Sequence, residues 1–137
     1  MTPVVLTEHE QIEQAIVEAL GHLQLEPLVR DKVVAVKPND TWASAEDTTA
    51  VTQPDTLRAV LRYVKQFSPK ELIVTGGSGA GQTDEIFQVA GLMAVVQEEG
   101  ATFLTIIVVL SRRCRSHMLP TRMLPVHSAP SWSIRAF

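Results

Sequence analysis

The stretch TGGSGAGQT, Thr75 to Thr83, follows the apolar run ELIV and precedes DEIFQVAGLMAVV. Glycines between a predicted strand and a predicted helix permit a tight turn and close helix–strand packing. Their amides can also hold an anion or a polar group. From Gly76 to Thr83 the run keeps the phosphate-loop spacing G-x-x-x-x-G-K-[ST], but Gln82 stands where the lysine would reach the terminal phosphates. Asp84 and Glu85 follow at once. Their carboxylates suit a helix start and repel a pyrophosphate unless a metal intervenes. No acid closes the later apolar run TIIVVLS, and the dinucleotide pattern G-x-G-x-x-G fails because its last glycine, counted from Gly77, falls on Gln82. Three readings remain open: a packing turn, a loop whose amides bind a polar or anionic ligand, and a degenerate phosphate loop.

A second group of polar residues sits in VKPND, at the end of an earlier apolar run. In an open parallel sheet ligands collect at the carboxyl ends of the strands. If the two strands are neighbours, Lys37, Asn39 and Asp40 stand beside the glycine loop. A lysine is costly to bury there without a partner, and Asp40 and Asp84 are the candidate partners. The alternative is that Lys37 only caps a surface loop. Trp42 either packs over this edge or covers a ligand. The candidate ligand site is therefore Lys37, Asn39 and Asp40 with Gly76, Gly77, Ser78, Gly79, Gly81 and Thr83, and its ligand a small polar or anionic molecule. The four histidines show no metal-pair spacing, and no G-x-S-x-G elbow occurs. Cys114, between arginines, can have a lowered pKa but has no partner in a motif.

The elements that position these residues are read from periodicity. TEHEQIEQAIVEALGHL predicts a helix, with Thr7 and Glu10 at capping-box spacing and an apolar stripe of Ile12, Ile16, Ala19, Leu20 and Leu23. EPLVRD is a connector. KVVAV, Lys32 to Val36, predicts a buried strand closed by Pro38. NDTWASAEDTTAVTQ is a polar loop of a length that is usually functional or mobile. PDTLRAVLRYVKQF predicts a helix with Pro54 in its first turn and Asp55 complementing the dipole. Leu57, Val60, Leu61 and Val64 face inward, and Arg58, Arg62 and Lys65 share a face that is either solvated or a basic site. ELIVT is the second strand, Asp84 to about Glu99 is helical with a break near Gly91, and TFLTIIVVL is the third strand. Apolar strands alternating with helices predict an α/β fold: a three-layer, Rossmann-like parallel sheet covered on both faces, with three main strands and therefore an incomplete domain. An exposed sheet edge or the apolar tail residues make homo-oligomerisation a candidate association mode, and the alternative to a ligand-binding domain is a non-catalytic or truncated remnant that acts only through association.

The composition, 45% hydrophobic and 20% charged, is that of a soluble globular protein, and no run is long enough to span a membrane. The N-terminus has no secretory pattern. A single cysteine allows neither an internal disulfide nor a cysteine metal cluster, so a reducing, cytoplasmic setting is expected. The charge distribution breaks sharply. Residues 1–99 carry a balance of −8 and residues 100–137 one of +5, and all fifteen acids lie at or before Glu99. The division expected is a 1–110 α/β domain and a 111–137 irregular basic tail. The tail fits a read-through in another frame or a disordered extension better than a nucleic-acid arm, because Met118, Leu119, Met123, Leu124, Trp132 and Phe137 are interleaved with its arginines.

Three stretches together, VAVKPND, AVTQPDTLRAVLRYV and ELIVTGGSGAGQTDEIFQVAGLMAVVQEEGATF, resemble the opening of the family catalogued as domain of unknown function 362. The marks are Lys37-Pro38-Asn39, Thr52-Gln53-Pro54, Gly76 to Gly81, and Gly91-Leu92, and the resemblance covers roughly residues 30 to 104. It implies a larger α/β domain of which this chain holds the N-terminal part, and a departure from the family pattern after about Phe103. Several members carry iron–sulfur modules. This chain has no Cys-x-x-Cys series, so no such cofactor is expected and the cofactor, if any, stays unknown.

Overall fold

The computed structural model describes residues 4–106. The segment 111–137, the end of the third predicted strand, Cys114, His117 and His127 lie outside the described residues. The elements are α1 (Ile12–Gly21), α2 (Glu26–Val29), β1 (Val33–Val36), α3 (Pro54–Lys65), β2 (Glu71–Gly76), α4 (Thr83–Val89), α5 (Leu92–Glu98) and β3 (Thr102–Thr105). The three strands form one parallel sheet in the order β1-β2-β3, the small α/β arrangement that the alternation of strands and helices requires.

The register explains which face is core. Val34 lies beside Leu72, Val36 beside Val74, and Val74 beside Phe103. In a parallel pair such neighbours point the same way, so these five side chains share a face. Leu57, Leu61 and Val64 of α3, Ile86 and Phe87 of α4, and Leu92, Val95 and Val96 of α5 pack with them into one buried cluster. Phe87 is fully buried, with its ring 4.7 Å from that of Phe103. Val33, Ala35, Ile73 and Leu104 alternate onto the other face, where Val33 is 55% and Leu104 36% exposed. Helices α3, α4 and α5 all contribute to the cluster on the first face. KVVAV reads as a buried strand because it is apolar throughout, but β1 is an edge strand with an exposed side.

α3 begins as expected, with Pro54 and Asp55 in its first turn. Leu57, Leu61 and Val64 are buried and Val60 half-buried, and Ala59 and Tyr63 join the buried set. The break near Gly91 is also present. Gly91 has φ +72° and separates α4 from α5, a left-handed conformation that glycine adopts without strain. Two expectations fail locally. The capping box does not form: α1 starts at Ile12, and the Thr7 hydroxyl donates to the Ala15 carbonyl instead (2.9 Å). EPLVRD is more than a connector, because Pro27 sits in the first turn of the short helix α2.

Arg58, Arg62 and Lys65 form a partly solvated face whose charges are paired with acids. Arg58 bonds Asp55 and Glu98, Arg62 reaches Glu13 and Glu99, and Lys65 bonds both the side chain and the backbone carbonyl of Glu99. The face ties α3 to α1 and to the end of α5.

Candidate functional site

The carboxyl ends of β1 and β2 are where the sheet can present polar groups, because the chain leaves the hydrogen-bonded ladder there. β1 runs into Lys37-Pro38-Asn39-Asp40, and β2 runs into Gly76 and the loop to Gln82. Parallel pairing brings both exits to the same edge.

Asp40 is the residue that joins them. It is 2% exposed. One carboxylate oxygen accepts from Lys37 Nζ at 3.0 Å and the other from the Gly77 amide at 2.7 Å. A buried carboxylate is tolerated only when charged and polar donors surround it, and these two donors come from opposite sides of the edge. Gly76 makes the approach possible. A Cβ at that position would lie 2.6 Å from the Phe87 ring, 2.7 Å from Asp40 Oδ2 and 2.7 Å from Thr83 Cγ2. This glycine is thus required by packing.

The loop closes on itself next. The Ser78 amide donates to Thr83 Oγ1 (3.1 Å), the Ser78 hydroxyl donates to the Thr41 carbonyl (2.8 Å), and the Ala80 amide donates to Ser78 Oγ (3.3 Å). Ser78 and Thr83 are buried. Gly79 and Gly81 differ from Gly76. Neither has a positive φ, nothing lies within 4 Å of a Cβ placed at Gly79, and a Cβ at Gly81 would make only ordinary contact with Ile86. Their amides have no bonded acceptor among the described residues.

Lys37 is half-exposed. Its ammonium donates to Asp40 and to the Pro38 carbonyl (3.2 Å). An ammonium has three donors, so one remains for solvent or a ligand. Of the two candidate partners for this lysine, the structure selects Asp40. Asn39 turns away from the edge. Its amide donates to the Ala50 carbonyl (2.7 Å) and accepts from Thr41 Oγ1 (3.0 Å), while its backbone is bonded twice to Thr52. With the Asp40–Val51 bridge, these bonds pin the neck of the long polar loop. The tip of that loop is ordered by Asp47, whose carboxylate accepts from the Thr49 amide (2.8 Å) and hydroxyl (2.7 Å). Those bonds hold the Asp47 carboxyl below its ordinary value. Trp42 is 42% exposed beside the edge.

The largest polar feature that sequence reasoning missed lies elsewhere. Glu99, 8% exposed, receives Arg62 at 2.9 Å and Lys65 at 3.1 Å. Burial pushes its carboxyl up, but the hydrogen bonds from Lys65 and Arg62 outweigh burial and hold it below the ordinary value. Regular i,i+4 spacing would have betrayed a pair within one helix; these partners are 34 and 37 residues away. Among the described residues no three His, Cys, Asp or Glu side chains are grouped to hold a metal ion, and no helix is long and apolar enough to cross a membrane.

No curated protein and no solved structure matches the chain. A family model does match, over residues 34–118 of the 137. The matched span takes in β1 from its second residue, Lys37, Asp40, the pinned loop, α3, β2, the glycine loop and both helices after it. It ends at residue 118 and not near Phe103, so the family pattern continues beyond the point where the resemblance was expected to stop. Because the match spans most of the chain and all of the edge built around Asp40, the chain belongs to the family described as domain of unknown function (DUF362).

Proposed function

We propose that this chain binds a small polar or anionic ligand at the carboxyl edge of its sheet, between the Lys37 ammonium and the tip of the glycine loop. One observation carries the reading. A half-exposed ammonium with a donor to spare is fixed by a buried carboxylate beside a loop whose Gly79 and Gly81 amides have no bonded acceptor among the described residues. Gly76, Gly77, Ser78 and Thr83 then serve as the frame, since their bonds and contacts are internal. Asp40 fixes the lysine, and Asn39 supports the neck of the adjoining loop. Preorganised donors of this kind lose little entropy on binding.

The nucleotide reading is supported less. In a phosphate loop the backbone amides cradle phosphates and a lysine reaches the terminal ones. Here the Gly77 amide is engaged by Asp40, and Gln82 brings no charge.

Amide NMR during titration with acetate and methanesulfonate tests the proposal. The expected result is saturable shifts centred on Gly79 and Gly81. Lys37→Ala should weaken the affinity by about 1–3 kcal/mol through loss of a charge-assisted hydrogen bond. Absence of saturable shifts at the loop, or an affinity unchanged in Lys37→Ala, would sink the reading.

A further inference from the structure

The same edge carries an inference about charge, which rests on the ligand-binding reading above. We infer that Asp40 is a specificity-determining residue that restricts the site to ligands presenting a single negative charge, such as a carboxylate, and excludes doubly charged groups such as a terminal phosphate.

The reasoning begins with the charges already present. Lys37 contributes one positive charge, and Asp40 sits against it at 3.0 Å with its carboxylate almost wholly removed from water. Asp84 and Glu85 begin α4 on the far side of the loop and are exposed. The edge is therefore net negative before any ligand arrives. Attraction must come from short-range bonds: one free donor on Lys37 and the amides of Gly79 and Gly81. A first negative charge on the ligand strengthens each of these bonds, because charge-assisted hydrogen bonds are stronger than neutral ones. A second charge finds no second cation. It adds desolvation and repulsion from Asp40, whose charge is poorly screened because it is buried. Asp40 also engages Gly77 N, the amide nearest the strand end, so the loop cannot turn that donor toward the extra charge.

Sulfate and methanesulfonate separate charge from shape, since both are tetrahedral and differ by one unit of charge. The experiment measures affinity for both, at one near-neutral pH and one ionic strength, in the full chain and in Asp40→Asn. Asparagine keeps the size of the side chain and an oxygen that can accept from the Gly77 amide. The wild-type chain should prefer methanesulfonate. In Asp40→Asn the ratio should move toward sulfate by on the order of tenfold, the size expected for removing one charge a few ångströms away. A wild-type preference for sulfate overturns the inference without any variant, which keeps it testable should Asp40→Asn not fold. A folded Asp40→Asn with an unchanged ratio also overturns it, while the binding site itself stands. If neither anion shifts the loop amides in wild type, the binding reading fails and the charge inference fails with it.

Discussion

Two buried carboxylates organise this molecule, and they do so differently. Asp40 lies at the carboxyl edge of the sheet with one lysine and one backbone amide; Glu99 lies after α5 with an arginine and a lysine. At Glu99 two cations converge on one anion, and Lys65 also caps the Glu99 backbone carbonyl at 2.9 Å. The acceptor is used up and three helices are tied together, with Arg62 extending the network to Glu13 of α1. At Asp40 the anion is buried as well, and its lysine is half-exposed with a donor to spare, as Lys65 is. The first arrangement joins helices to one another. The second holds its charged group beside a loop whose Gly79 and Gly81 amides have no bonded acceptor among the described residues. A buried ion pair is weak evidence of stability by itself; what distinguishes the two is what the half-exposed cation lies beside.

The glycines sharpen the same contrast, and the largest expected effect lies there. In Gly76→Ala the new methyl would fall within 2.7 Å of Phe87, Asp40 and Thr83 at once. Phe87 is fully buried and Asp40 is held by two donors, so none of the three can easily retreat. Overpacking of this kind should cost about 3 kcal/mol, read by chemical denaturation, and should disturb the Lys37–Asp40 pair. A loss under about 1 kcal/mol would mean that the edge is looser than its contacts imply.

Much of the frame was legible because its signals are local. Pro54, Asp55 and the inward stripe of α3 depend on neighbours within a few residues, and Gly91 marks its break by an intrinsic backbone preference. The common edge of Lys37 and the glycine loop was legible too, since parallel strands leave a sheet at the same end. What escaped needs the fold. The stripe of β1 is apolar on both faces, and only the fold shows that β1 is an edge strand on which Val33 and Ala35 are exposed. Thr7 and Glu10 have the spacing of a capping box, yet Thr7 bonds Ala15 and α1 begins later. Whether Gly76 or Gly79 is the packing glycine cannot be told from GGSGAG, since it depends on where Phe87 and Asp40 arrive.

A middle-sized effect tests the Glu99 network. Glu99→Gln removes the anion from Arg62 and Lys65, both half-exposed and able to turn to water, so the loss should be about 1–2 kcal/mol near neutral pH. The sign with pH follows from its lowered folded value. A carboxyl held below 4.5 in the folded chain stabilises the fold above the unfolded value, and that part is lost as pH falls through the lower folded one. Wild type should therefore lose stability relative to Glu99→Gln on going from about pH 7 to about pH 3. Parallel stability–pH curves for the two proteins would show that the network contributes nothing net, and the contrast with Asp40 would collapse.

The smallest expected effect on stability is the most informative about the edge. Gly79 has open space around it and no left-handed backbone, so the fold gives no reason for a missing side chain there. Gly79→Ala should change stability by less than about 0.5 kcal/mol. A slight gain is also consistent, because alanine narrows the unfolded ensemble. If a ligand approaches the Gly79 and Gly81 amides, the added methyl stands in its path, and affinity for acetate or methanesulfonate should fall by on the order of 1 kcal/mol. The pairing of the two readouts carries the weight: stability unmoved and affinity reduced would distinguish an open recognition surface from a packing turn. Unmoved affinity, in a protein that binds these anions, would remove Gly79 from the contact surface and leave Lys37 as the centre of the site.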